Sequence, residues 1–392
     1  MLQDPKFIRG EDINDTVVEA LGYIMNHGKE IQTRNGSARF VNDLTLQIDN
    51  PQRRHLSLDG RKYNIYQLMA ETFWVASGSG EISPFLEFFL PRAKNYSDDG
   101  KTWHGSYGNR MLAHGQLDDL IKTFRREGLS ARRAILMIAD PTIDNLTAIK
   151  EKYDTDTPND LPCNREMVFY VVDNKLNAKV IQRSGDMIFG TGSINPFEFT
   201  FIQEMVYNML LEDFPELELG VYRWHITNAH IYSDYYDQAK AIIHSSNNGT
   251  GYSLERNNYI PRREGIIVER GLQVEWLPGM MEEVVHDISK IILHISKFNQ
   301  FVQAADTGVI PESYVNQIKK LVEEALYVGN SLFDQYNNLI VAYVVGKKFE
   351  VTLYLPTIEQ SLLKSVDNCS FTNFNLVIGS LGVRLEIKGE KK

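Results

Sequence analysis

The sequence predicts an α+β protein, because helix-period and strand-period stretches are interleaved along its 392 residues. Three stretches carry that reading. Residues 11 to 29 place Ile13, Val17, Ala20, Leu21 and Ile24 at helical spacing, with Gly28 as a stop signal. Phe40 to Ile48 alternates apolar and polar residues, the pattern of a strand with one buried face. Beyond Pro278-Gly279, Val284, Ile288, Ile291, Ile295 and Phe298 advance by fours and threes, an amphipathic helix of about five turns.

The remaining elements follow in chain order. Tyr66 to Ala76 reads as a helix, which sets Glu71 on an apolar element. Residues 92 to 110, rich in Asp, Gly, Ser and aromatic residues, read as loop. Arg133 to Ile138 and Met167 to Val172 are short apolar runs suited to buried strands. Between them, residues 140 to 160 read as a polar connection whose Asp-Thr-Asp-Thr-Pro-Asn-Asp run is expected to be solvated rather than metal-binding. Ser245 to Gly251 reads as a flexible turn. A second C-terminal helix is expected after Pro311, with Val315, Ile318, Val322, Ala325 and Val328 on one face, then strands at Phe349 to Leu355 and Leu376 to Ile387.

Composition narrows the function classes. The chain holds 43% hydrophobic residues, enough to fill a substantial core. It contains neither a run of about 18 apolar residues nor a charged-then-apolar leader, so a soluble, cytoplasmic protein without a membrane partner is expected. A formal charge of -10 argues against a nucleic-acid groove and leaves room for a small dianion held by local arginines. Cys163 and Cys369 are too few for a disulfide framework or a Cys-rich zinc site, and no metal is expected.

The functional signal is an ordered set of segments. Leu161-Pro162-Cys163-Asn164 precedes Gln182-Arg183-Ser184-Gly185-Asp186 and then His230-Ile231-Tyr232. Upstream lie Arg34-Asn35-Gly36-Ser37, Glu71-Thr72-Phe73-Trp74, Tyr107-Gly108 and Ser130-Ala131-Arg132-Arg133. Together they resemble the thymidylate synthase family over roughly residues 15 to 240. The resemblance implies a mixed sheet packed against helices over residues 1 to 270, with residues 271 to 392 as a divergent C-terminal extension of helices and strands. It also implies a homodimer with shared active sites, dUMP as substrate and 5,10-methylenetetrahydrofolate as co-substrate.

Residue chemistry agrees with that family's. Carbon 5 of uracil is a poor nucleophile until a thiolate adds to carbon 6, and Cys163 is the candidate thiol. A neighbouring guanidinium would favour its thiolate, a role Arg183 could share with phosphate binding. Arginine forks suit phosphate oxygens, so Arg34 and Arg183 with a partner's Arg132 and Arg133 form a sensible cluster. An amide at Asn195 can accept the N3 proton of uracil and donate to O4. Its segment, Gly190 to Asn195, is one residue longer than the family's, so a small insertion is expected there. By resemblance, His230 and Tyr232 bind the sugar hydroxyl, Ser184 the phosphate and Asp186 the pterin, while Glu71 and Tyr107 organise water and move protons.

Several departures bear on the reaction's outcome. The positions of a tryptophan pair in synthases fall on Ala93 and Tyr96, which predicts a reduced apolar shield around the reacting carbon. Cys163 is followed by Asn164 rather than His, and Tyr107-Gly108 continues as Asn109-Arg110. The chain closes on Lys-Gly-Glu-Lys-Lys rather than a short apolar tail. These features resemble the hydroxymethylase branch known from bacteriophages, implying water rather than hydride as the final nucleophile. Thymidylate synthesis, cytidylate hydroxymethylation and a non-catalytic assembly role are the alternatives.

Overall fold

The computed structural model describes residues 5–61, 63–250, 271–304 and 312–390. Its strands up to residue 232 are β1 (Lys6–Gly10), β2 (Lys29–Thr33), β3 (Gly36–Ile48), β4 (Ile135–Met137), β5 (Asn164–Val172), β6 (Lys175–Gln182), β7 (Gly185–Asp186) and β8 (Glu218–Tyr232). They form one sheet in the order β1-β3-β8-β6-β5-β4, with β2 on β3 and β7 on β8. β1 with β3, β6 with β8 and β7 with β8 are parallel, while the other pairs are antiparallel, so the sheet is mixed. With the helices packed on it, this is the α+β architecture expected.

Eight helices accompany these strands among the described residues: α1 (Ile13–His27), α2 (Ile65–Ala76), α3 (Phe85–Phe89), α4 (Tyr107–Met111), α5 (Gln116–Glu127), α6 (Leu146–Tyr153), α7 (Asn195–Leu210) and α8 (Tyr236–Thr250). The α1 helix starts where the Asp12 side chain accepts the Asp15 N–H and ends at Gly28, as its spacing predicts. It packs on β3 and α8, burying Ile13, Val17, Ala20, Leu21 and Ile24. The α2 helix is capped by Asn64 and packs on α7. This contact brings Glu71 to the interior between two helices.

The C-terminal region adds α9 (Met280–Ala304), α10 (Glu312–Ala325), α11 (Leu332–Gly346), β9 (Phe349–Leu355), α12 (Gln360–Asp367), β10 (Asn375–Ile378) and β11 (Arg384–Glu390). The last three strands form a second sheet in the order β10-β9-β11. The α11 helix is buried nearly all round and stacks on α2, with Tyr343 on Tyr66 at 4.5 Å and Phe333 on Phe73 at 5.3 Å. One continuous apolar core therefore runs from Ile8 to Cys369. No helix among the described residues is long and apolar enough to cross a membrane.

The structure corrects several local expectations. Residues 245 to 250 continue α8 rather than turning, Ser245 bonding back to the Ala241 carbonyl and across to that of Asp59; Gly251 lies outside the described residues. Val328 lies past the end of α10 and is 86% exposed. Leu376 to Ile387 is two strands on opposite edges of β9, not one. The stretch from 92 to 110 contains a 3-10 turn at Pro91–Tyr96 and α4, and 140 to 160 contains α6.

Candidate active site

A cavity of about 840 Å³ opens beside the ends of β6 and β8 and is lined by Arg34, Arg183, Ser184, His230 and Tyr232. The β2-β3 hairpin presents Arg34 through a two-residue loop whose exit, Gly36, takes a φ of 111° that favours glycine. Asn35 ties the loop to the sheet by donating to the Tyr232 hydroxyl at 3.3 Å, and Arg34 donates to the Pro158 carbonyl. His230 and Tyr232 sit edge to face at 4.8 Å. Asp156, Thr157, Pro158 and Leu161 form the facing wall. The polar run expected to be simply solvated thus borders the cavity.

Arg183 joins this cavity to a deeper layer. Its backbone N–H donates to the Cys163 carbonyl at 2.9 Å, while Nε and Nη2 donate to the Pro162 and Leu161 carbonyls. Cys163 is half-buried immediately before β5. Burial pushes its thiol up, Arg183 pulls it down, and Asp160 pushes it up again. The guanidinium is in place, yet in the free protein desolvation outweighs it.

Glu71, Tyr107 and Asn195 lie in that deeper layer, away from the cavity wall. Asn195 is the first residue of α7, and its Oδ1 accepts from Gln182 Nε2 at 3.4 Å while its Nδ2 donates to Glu198 Oε2 at 3.5 Å. Gln182 in turn accepts from the Thr191 hydroxyl. Gly190–Ile194, just before Asn195, forms a π-helical turn, the form that the one-residue insertion expected there would take in a helix. Gln67 donates to Glu71, and Arg92, stacked on Phe189, is its cationic neighbour. Burial pushes Glu71 up to about 7, and it pushes Glu198 well above the carboxylate range, with Glu71 adding to that rise. Tyr107 is driven up by burial too, with Cys163, Asp160 and Glu198 around it.

Asp186, on β7, pairs in register with His230 and accepts the Ile188 N–H at 2.8 Å. Burial raises it, opposed by that bond, by His230 and by Arg61, whose buried guanidinium donates to the Gly192 carbonyl. Arg132 and Arg133 are exposed before β4, where Arg133 pairs with Glu127, and neither lines the cavity of its own chain.

Two findings lay outside the sequence reading. Glu198 was missed, although a lone carboxylate in Phe197-Glu198-Phe199 was a usable signal. The second is an aromatic cluster: Tyr96 stacks on Trp103 at 5.2 Å, with Trp74 beyond at 6.1 Å, while Ala93 is fully buried.

With this geometry in view, comparison with known proteins places the chain. The thymidylate synthase family profile matches residues 16–258, so the chain belongs to that family and is a one-carbon transferase acting on a pyrimidine nucleotide. It is 42% identical over 320 residues to the deoxyuridylate hydroxymethyltransferase of Delftia phage PhiW-14, covering 79% of this chain and 85% of that one. It is 29% identical over 233 residues to the protein of the same name from Pseudomonas phage M6, covering 58% of this chain and 62% of the relative. The corresponding protein of Bacillus phage SP01 is 26% identical over 231 residues, 56% of this chain and 57% of that one.

Proposed function

We propose that this enzyme converts dUMP, 5,10-methylenetetrahydrofolate and water into 5-hydroxymethyl-dUMP and tetrahydrofolate. The observation that carries the reading is the likeness to the PhiW-14 hydroxymethyltransferase, which covers more of the chain than residues 16–258 can account for. The extension is therefore partly shared with that relative. Such a reaction belongs in the cytoplasm, the host's for a phage-encoded enzyme.

Arg34 and Arg183 would hold the phosphate with Ser184, and His230 and Tyr232 the sugar hydroxyl, since all five face one cavity. Asn195 would read the base. Gln182 and Glu198 grip its two amide ends, which fixes the amide's orientation, the property that base choice needs. Cys163 would add to carbon 6; a bound phosphate dianion draws on Arg183, so the thiolate must form once water has left and the base is in place.

The half-buried Asp186 carboxylate keeps acceptor capacity beyond its bond from Ile188, so it would suit the N–H edge of the pterin of a reduced folate, which supplies a one-carbon unit at the oxidation level of formaldehyde. Glu71, pushed up to about 7 by burial and so able to hold or release a proton near neutral pH, would move protons to and from the base, with Tyr107 in the same layer. Arg132 and Arg133, exposed here, would complete the phosphate site of a second subunit.

The decisive experiment incubates the protein with dUMP or dCMP and methylenetetrahydrofolate, identifies the nucleotide by mass and follows dihydrofolate absorbance. The expected product is 5-hydroxymethyl-dUMP with no dihydrofolate. Thymidylate with stoichiometric dihydrofolate would refute the reading, and hydroxymethyl-dCMP would refute the base assignment.

A further inference from the structure

Asp160 stands three residues before Cys163, in the loop between α6 and β5. Its Oδ2 accepts the Trp103 indole N–H at 2.7 Å. The backbone of Gly105 lies directly against it: a Cβ there would sit 2.0 Å from the same oxygen. An indole and a bare backbone thus fix the carboxylate in place. The charged and titratable groups that face it are Cys163 and Tyr107, which feel its charge, and Arg183, His104 and Arg110, which draw it down against the effect of burial. None of these cations is within ion-pair distance of it among the described residues.

This placement works against the first chemical step. A carboxylate beside the nucleophile raises the thiol, so Asp160 disfavours the Cys163 thiolate. A half-buried carboxyl group that burial makes more basic, held against Gly105 next to the Pro162 backbone and without an ion-pair partner among the described residues, suits a later step in which a proton must leave.

We propose that Asp160 is the base that receives the proton of the water attacking the one-carbon unit. The proposal rests on the hydroxymethyl-transfer reading above. At that stage the nucleotide carries an exocyclic methylene on carbon 5 and is bound through carbon 6 to Cys163 Sγ. The water oxygen bonds to the methylene carbon, one water proton passes to the Asp160 carboxylate, and the methylene π pair moves into the ring as the carbon 4 enolate. The enolate then re-forms the carbon 5–carbon 6 double bond and expels the Cys163 thiolate. Asp160 returns its proton to solvent, and no oxidant or reductant is required.

The test follows single turnovers of dUMP tritiated at carbon 5. Tritium leaves before water attacks, so its release reports the early steps, while 5-hydroxymethyl-dUMP reports the late one. In the natural enzyme the two should be equal. Asp160→Asn keeps an acceptor for Trp103, and product formation should fall by about 10²-fold or more, the usual worth of a general base. Tritium release should fall less than ten-fold, and added 2-mercaptoethanol should capture the stalled methylene as a thioether. A second variant, Asp160→Ala, should regain product formation with added formate, which loss of a structural contact would not allow. Tritium release and product falling in step, or product formation unchanged in both variants, would overturn the proposal alone. Dihydrofolate from the unmodified enzyme would overturn the hydroxymethyl reading and this proposal with it.

Discussion

Glu71 and Glu198 face each other from α2 and α7, both buried, with amides rather than cations as their hydrogen-bond partners. A carboxyl whose folded pKa lies above its unfolded value holds a proton that the unfolded chain releases. Stability is then full below the unfolded pKa and falls as pH rises through that window, by up to about 1.4 kcal/mol per pH unit for each group. His55 acts in the opposite sense. Burial holds it well below its ordinary value, so its contribution is lost as pH falls through the usual histidine range. Glu198→Gln should therefore gain stability over the natural protein at pH 8 more than at pH 5, compared by urea unfolding. An equal difference at both values would show that folding does not raise the Glu198 carboxyl. A buried glutamate was read from the sequence only at Glu71, where a motif marked it. At Glu198 the flanking Phe197 and Phe199 signalled burial, but its partner lies more than a hundred residues away.

At the scale of elements, α11 shows why an apolar period is an incomplete guide. Its residues from Leu339 to Val345 are apolar on every side because helices and strands surround it, so no amphipathic stripe marks it. Its start is nonetheless written locally, in a capping box between Ser331 and Asp334. The element is locked to the catalytic half by His55, whose Nε2 meets the Tyr336 hydroxyl at 2.5 Å and whose Nδ1 meets the Ser361 hydroxyl of α12 at 2.7 Å. Tyr336→Phe should cost about 1–3 kcal/mol, because a buried ring nitrogen loses its partner. Denaturant midpoints measure this, and a loss too small to resolve would mean that apolar packing alone holds α11. The end of α8 makes the converse point. Ser-Ser-Asn-Asn-Gly has turn chemistry, yet contacts with the segment around Asp59 carry the helix through it.

For the whole molecule, the arginines divide into two groups. Arg34 and Arg183 face the cavity, while Arg132 and Arg133 lie exposed elsewhere on the same chain. Shared sites in a homodimer would reunite them. If so, an inactive Cys163→Ser protein mixed with an inactive protein carrying Arg132→Ala and Arg133→Ala should regain activity after subunit exchange, since one hybrid site would have every intact part. The expected recovery is up to about a quarter of normal activity for random exchange of equal amounts with one competent site per hybrid. Heterodimers that form without activity would place those two arginines outside the phosphate site.

The sequence alone determined the class of fold, the family and cavity-facing residues such as Arg183, Ser184, His230 and Tyr232, because short motifs such as Gln-Arg-Ser and His-x-Tyr sit at strand ends whose order the chain itself dictates. It also determined the helices with one wet face, α1, α9 and α10, since a half-buried helix must write its stripe into the sequence. Only tertiary structure decided what meets across distance. Asp160 came to accept the Trp103 indole N–H, and Glu198 came to oppose Glu71. Each depends on two segments converging from different parts of the chain. Spacing along a sequence encodes neither that convergence nor the loss of water that gives these buried carboxylates their altered acidity.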